Sequence, residues 1–221
     1  MRKRRIIFIS LAIVGLMGVV AYPSIQNFKE FTFNEDGALT EWEKMILNKE
    51  VDYVLTTIGG EGHVQALSEK ACSAIFHRVK YDLKDYPYLK WRWKILRFPD
   101  VSQAVTAKEK DDYAARVYVI FPSWVFTSYQ FLEYVWSEDI PEGTITKSPY
   151  GNNIRVIVVR SGEPTQEELV SEVRNVYDDY KNAFGKEARR KVGAVAFMCD
   201  ADGTNTMAKS LVDDIAIAKQ K

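Results

Sequence analysis

The sequence predicts a mainly β protein: a jelly-roll-like antiparallel β-sandwich with one short helix near 175–184, preceded by an N-terminal transmembrane or signal helix. Three observations predict it. Short runs rich in Tyr, Trp, Phe and Val, residues that suit half-buried strands, recur at close intervals. Turn chemistry separates many of them, at Asp36-Gly37, Gly59-Gly60, Pro141-Glu142-Gly143, Gly151-Asn152 and Gly203. Only one segment past the N-terminus gives up this pattern for helical spacing.

In chain order, Arg2-Lys3-Arg4-Arg5 precedes an uncharged apolar run from Ile6 to Tyr22. Ser10 is the only clearly polar side chain between Ile6 and Val20, so the run lacks the polar face of a core helix. It is long enough to enter a bilayer, and the cations hold its leading end in the cytoplasm. Val19-Val20-Ala21 offers small or modest residues where a signal peptidase reads. Cleaved signal peptide and uncleaved anchor both remain open. Either way the chain after Pro23 is expected outside the cytoplasm, inner-membrane-anchored or periplasmic, as a single domain over 23–221. Strands are predicted at 28–33, 51–58, 63–67, 73–79, 89–95, 113–121, 129–136, 154–160, 192–198 and 211–217. Between the strands at 154–160 and 192–198, Thr165-Gln166-Glu167-Glu168 has the form of a capping box. Leu169, Val173, Val176, Tyr177, Tyr180 and Phe184 then follow helical spacing until Gly185 stops it. A helix is expected over 175–184, with 166–174 either its start or a separate strand.

Composition excludes more than it selects. Lys+Arg and Asp+Glu are balanced at 30 each, and the four cations at residues 2–5 leave 26 basic against 30 acidic residues beyond them. No basic excess favours nucleic acid as a partner. The two cysteines, Cys72 and Cys199, either pair in an oxidising compartment or stay as small buried apolar side chains. His63 and His77 are the only histidines, and neither has metal-ligand spacing. No Gly-x-Ser-x-Gly turn and no phosphate-cradling glycine loop occur. Val195 to Met198 followed by Cys199-Asp200-Ala201-Asp202-Gly203-Thr204 imitates the nucleophile strand of haloacid-dehalogenase-like phosphatases. That fold needs a large α/β domain after the motif, and only 17 residues follow Thr204. As a calcium loop the same stretch lacks the closing bidentate Glu. Asp200 and Asp202 are therefore candidate ligands of a structural calcium ion at most, set against an ordinary polar turn. No other cofactor is expected.

Alternation sorts the central strands into faces. Leu89, Trp91, Trp93 and Ile95 share one side of their strand, with Lys90, Arg92 and Lys94 on the other. Tyr113, Ala115, Val117, Val119 and Phe121 read as core, opposite Asp112, Ala114, Arg116, Tyr118 and Ile120. Arg155 stands opposite Ile154, Val156, Val158 and Arg160. If these strands are neighbours, Arg92, Arg116, Tyr118, Arg155 and one of Tyr134 or Trp136 share a sheet face. Guanidinium groups fork onto carboxylates or phosphates, and aromatic rings cover the apolar faces of sugars. Such a face suits an acidic glycan or a phosphorylated envelope component. The competing reading is a buried ion network in which Asp111 or Asp112 and Glu133 neutralise the arginines.

A resemblance adds to this. Tyr88 to Ile95 (Tyr-Leu-Lys-Trp-Arg-Trp-Lys-Ile), Asp111 to Val119 (Asp-Asp-Tyr-Ala-Ala-Arg-Val-Tyr-Val), Tyr134-Val135-Trp136, Ser148-Pro149-Tyr150 and Val158 to Gly162 follow one another in order. Glu172 to Val176, Asp179-Tyr180, Phe184-Gly185, Asp200-Ala201-Asp202 and Asp214-Ile215 complete the series. Together they resemble the domain of unknown function family 3047 of bacterial exported proteins, over roughly residues 42–217. The closing segment also looks like the last two strands of carbohydrate-binding jelly rolls. The resemblance implies localisation and architecture, not chemistry. The expected protein is a non-catalytic binder of a cell-envelope ligand, glycan or acidic component first, with residues 6–22 in the membrane. Two alternatives stand beside it: a structural or interaction protein of a periplasmic assembly, and a polysaccharide hydrolase or lyase using a carboxylate such as Asp112.

Overall fold

The computed structural model of the chain describes residues 27–125, 128–165 and 168–219. The expected signal or anchor at 1–22 and the capping-box residues Gln166 and Glu167 lie outside the described residues. Among the described residues no helix is long and apolar enough to cross a membrane.

Two sheets pack face to face. The six-stranded sheet runs β11 (Val170–Asn175), β6 (Tyr88–Arg97), β13 (Met207–Ala218), β4 (Glu61–Glu69), β3 (Asp52–Ile58), and β1 (Asn27–Phe31) pairs with β13. The seven-stranded sheet runs β2 (Glu43–Asn48), β5 (Cys72–Tyr81), β12 (Val192–Asp200), β7 (Arg116–Phe121), β8 (Gln130–Ser137), β10 (Ile154–Ser161), β9 (Ile145–Lys147). The expected antiparallel sandwich holds with one exception: β8 and β10 are parallel. A parallel pair needs a return to the starting end, and the loops around β9 provide it.

Alternation explains the core. Trp91 and Trp93 of β6 point inward and meet edge to face at 5.3 Å, and Trp91 also packs on Tyr134 at 5.3 Å. Val117, Val119 and Phe121 face them from β7, Leu132, Tyr134 and Trp136 from β8, and Val195, Phe197 and Cys199 from β12. The last strand shows how one residue changes partners. β13 pairs with β4 from Met207 to Val212, and with β1 from Ile215 to Ala218. Between them the ladder to β6 slips, and Asp214 adopts a positive φ of 48°. The bulge lets both Val212 and Ile215 face the core.

Two expectations need correction, and two alternatives left open by the sequence are decided. Residues 113–115 are not strand; β7 begins at Arg116. Tyr113 consequently leaves the inner face and packs with Val135, Val156 and Val158 on the outward side of the seven-stranded sheet. Three short edge strands, β2, β9 and β11, went unpredicted or were only an alternative, because β2 and β9 are exposed along their whole length. The helix is α1 (Val176–Phe184) alone, since 170–175 pairs with β6. Its N-cap is Asn175, whose side chain accepts from Asp178 N, and Gly185 closes it at φ 68°. Val176 and Tyr180 seat the helix over one end of the sandwich, where Tyr180 packs on Phe121. Cys72 and Cys199 are both free: Cys199 lies in the main core and Cys72 in a cluster on the outward face.

Candidate functional site

The two ends of the sandwich differ. At the end opposite α1, long connections gather: 98–115 between β6 and β7, 138–144 after β8, and 201–206 between β12 and β13. A buried ion network and its neighbour Asp112 fix the first and the last of these. Arg116, the first residue of β7, stands on the outward face and is 2 % exposed. Its Nε and Nη2 donate to Asp200 at 3.1 and 2.7 Å, and its Nη1 to Glu133 at 3.0 Å and Asp111 at 3.3 Å. Nη2 also donates to the Asp111 carbonyl, and the guanidinium lies 4.7 Å from the Tyr113 ring centre. Three carboxylates share one cation, so burial outweighs the attraction of Arg116. The carboxyls of Glu133 and Asp200 are both pushed up to about 7.

Asp112 continues the tie. Its carboxylate accepts from Thr204 N and Thr204 Oγ1, each at 2.7 Å, and from Gly203 N at 3.3 Å. A side chain at 203 would meet Asp112 Oδ1 at 3.0 Å and the backbone of Glu109 and Lys108 at 3.2 Å, so the glycine permits this approach. Burial raises the Asp112 carboxyl, against the pull of those hydrogen bonds.

Above the network lies a cleft of about 350 Å³. Phe98 and Pro99 wall it from the six-stranded sheet, Tyr113 and Trp136 from the other. Lys110, Asp112, Glu138 and Asp139 bring charge to its edge. Burial and the neighbouring Glu163, Asp139 and Asp100 raise the Glu138 carboxyl. Tyr113, Arg116 and Asp200 thus hold a loop whose next residues shape the cleft. Sequence reasoning passed over Phe98, Lys110, Glu138 and Asp139. They stand on connections with no motif, and their only signal was a cluster of acids directly after Trp136-Ser137.

The expected common face does not form. Arg92 belongs to the six-stranded sheet and Arg116 to the seven-stranded one. Arg92 Nη2 donates to Asp213 at 2.7 Å and Glu61 at 2.9 Å. Its Nε lies 2.7 Å from Asp214 without the alignment of a hydrogen bond. His63 Nδ1 joins Asp213 at 3.0 Å. Arg155 points to the core side and donates to the carbonyls of Ala183, Asn152 and Ile154 over the Phe184 ring. Tyr134 is fully buried, its hydroxyl on Asp179, because it shares the inward parity of Leu132. Trp136 has the same parity but sits at the strand end, where it reaches the cleft and donates to the Gly162 carbonyl at 2.8 Å. Tyr118 faces outward, half-buried, against Met198. The ion-network reading describes both: Arg116 is sealed from solvent, and Arg92, 28% exposed, is held by Asp213 and Glu61.

Among the described residues two groups have metal-like proximity. Asp200 and Asp202 come within 4.8 Å of the Cys72 sulfur, and Glu61, His63 and Asp213 approach one another similarly. Calcium takes oxygen ligands alone. A thiol held neutral by burial does not suit it, and Asp200 is already spent on Arg116 and Tyr113 N. In the second group Arg92 supplies the positive charge. The residues present do not fit the expected calcium.

Fold and cleft together define a jelly-roll-like β-sandwich with a cleft among the loops at one end. The chain belongs to the family described as protein of unknown function DUF3047, whose model matches residues 40–216. No curated protein matches it in sequence. Among solved structures it is similar to a promiscuous carbohydrate-binding module of the β-sandwich superfamily, at 12% identity and TM-score 0.45, covering 87% of this chain. The chain spans 62% of that structure's length. A family 30 carbohydrate-binding module of a Clostridium thermocellum cellulosomal cellulase is similar at 11% identity and TM-score 0.44, covering 82% of this chain and 92% of the module. A xyloglucanase domain of a Sinorhizobium fredii type three effector, solved with cellobiose, is similar at 10% and 0.43, covering 80% and 93%. At these values no residue role and no ligand carries over to this chain.

Proposed function

We propose that the chain is an exported, non-catalytic glycan-binding β-sandwich of the cell envelope, tethered through residues 6–22, with the sugar held in the loop-end cleft. The cleft is the observation that carries this reading. Its volume falls in the range of small-ligand sites, about 300–1,000 Å³. Phe98 and Tyr113 offer apolar ring faces, and the edge carboxylates and Lys110 can hydrogen-bond hydroxyls. One lysine stands against three carboxylates there, so a neutral sugar suits the site better than the acidic one the arginines had suggested. A thermal-shift screen of the full chain against neutral and sulfated or uronic oligosaccharides tests it. A rise in Tm with a neutral series is the expected result. No rise with any sugar ends the glycan reading and favours the assembly-protein alternative.

One observation favours a second reading. Asp112 and Glu138 both line the cleft with raised carboxyl pKa values, as a general acid of a glycoside hydrolase requires. Release of reducing ends from a bound polysaccharide, lost in Glu138→Gln, would establish it.

A further inference from the structure

The end of the sandwich that carries α1 has a different surface. Trp124 is fully exposed, at 105%, and Val125 is 58% exposed beside it. The other four tryptophans are buried: Trp42 at 7%, Trp91 at 1%, Trp93 at 0% and Trp136 at 4%. A bare indole at a loop tip is costly in water and suited to the boundary between water and lipid. The neighbouring loop, 185–191, carries Lys186, Arg189, Arg190 and Lys191, all exposed, against the single acid Glu187. The two loops are joined. Arg190 Nη1 donates to the Ser128 carbonyl at 2.6 Å, and Gly193 lies so close to the Pro122 ring that a side chain there would collide with it.

The register places the chain's N-terminal segment at this same end. Phe121 pairs with Gln130 and Val192 with Tyr81, while Asn27 and Tyr88 both pair with Ala218. The Phe28 ring lies 5.7 Å from Tyr81 and 4.9 Å from Tyr86. Tyr22, the last residue of the apolar run, is five peptide steps before Asn27. Such a stretch spans at most about 18 Å fully extended.

We propose that this end is a second membrane contact: Trp124 and Val125 enter the interface of an anionic bilayer, and Lys186, Arg189, Arg190 and Lys191 lie against its phosphates. The proximity argument rests on the reading of residues 6–22 as a membrane segment; the aromatic tip and the cationic loop do not. An anionic surface attracts each such cation, and a loop with four of them beside an apolar tip satisfies both parts of interfacial binding. Docked this way, the domain turns the opposite loop end, with its cleft, away from the bilayer.

The test uses the full chain reconstituted into vesicles of phosphatidylglycerol and phosphatidylethanolamine, some with brominated acyl chains. Because the other tryptophans are buried, Trp124 reports the quenching, and Trp124→Phe identifies its share. The expected result is quenching by brominated lipid, with protection from aqueous acrylamide. Lys186→Glu/Arg189→Glu/Lys191→Glu, which keeps the Arg190 contact, is expected to weaken it about tenfold or more in apparent lipid affinity. Thermal unfolding of each variant checks that the fold survives. Trp124 freely quenched by acrylamide and untouched by brominated lipid overturns the proposal, even when alkaline washing leaves the chain in the vesicles. Loss of the chain on washing, with Trp124 still lipid-quenched before it, sinks the anchor reading and leaves this contact standing. Protection of Trp124 by oligosaccharide and not by vesicles also overturns the proposal, in favour of a sugar site.

Discussion

Arg116 is the residue on which the loop end depends. It pairs with Asp111, Glu133 and Asp200 at once, and all four side chains are buried. Arg116→Ala leaves three carboxylates without their cation, which is expected to destabilise the fold by about 3–5 kcal/mol in denaturant unfolding. Arg116→Lys is not a repair, because a point charge cannot serve Asp200 through Nε and Nη2 and still reach Glu133. The same network predicts a pH dependence. Glu133 and Asp200, at about 7, hold protons more tightly than their ordinary values of 4.5 and 3.8. The folded chain therefore binds more protons than the unfolded chain between roughly pH 4 and 7, and the contribution of these groups falls as pH rises through that window. Glu133→Gln is expected to flatten the fall; an unchanged profile from pH 4 to 8 would show that the network does not titrate there. At this scale the sequence was informative about direction and silent about neighbours. Alternation correctly set Trp91 and Trp93 inside and Arg92 and Arg116 outside, but not on which sheet each arginine stands. The shared arginine face failed on that missing fact, and on Arg155 and Tyr134, which face inward.

Among the elements, the connection 201–206 and helix α1 are held by short-range chemistry that can be broken singly. Asp112 satisfies three donors of Gly203 and Thr204. Asp112→Ala strands them and is expected to cost about 1–3 kcal/mol, with weaker sugar binding because the cleft wall loosens. Stability and affinity measured on one preparation check both parts. Asn175→Ala removes the N-cap and is expected to lower stability by about 1 kcal/mol without touching the cleft, which is at the other end. Ten strands were legible because aromatic and β-branched runs alternate within them. β2 was not: Met45, Ile46 and Leu47 are all exposed and carry no alternation to read. At 170–175 the residues that suit a helix also alternate, and pairing with β6 decided between them. The Asp213–Asp214 bulge in β13 had no local signal, since it exists to exchange β4 for β1.

In the whole molecule, the two sheets form one core and the two ends take different surfaces. One end gathers the long loops, the buried network and the cleft; the other carries α1, the N-terminal strand and the exposed Trp124. Strand-like runs separated by turn residues were enough for the sandwich, and the ordered series of motifs from Tyr88 to Ile215 for the family. The cleft was not legible, because Phe98, Tyr113, Trp136 and Glu138 come from three separate segments brought together only by the packing of the sheets. The most direct measurement of the central claim is calorimetric titration of the full chain with the neutral oligosaccharide that raises Tm most, repeated on Phe98→Ala and on Tyr118→Ala. The account predicts saturable binding that Phe98→Ala weakens about five- to tenfold, through loss of ring stacking worth roughly 1–1.5 kcal/mol. Tyr118→Ala, on the outward sheet face away from the cleft, should leave it unchanged. Equal binding by wild type and Phe98→Ala, or loss only in Tyr118→Ala, would contradict the cleft as the site.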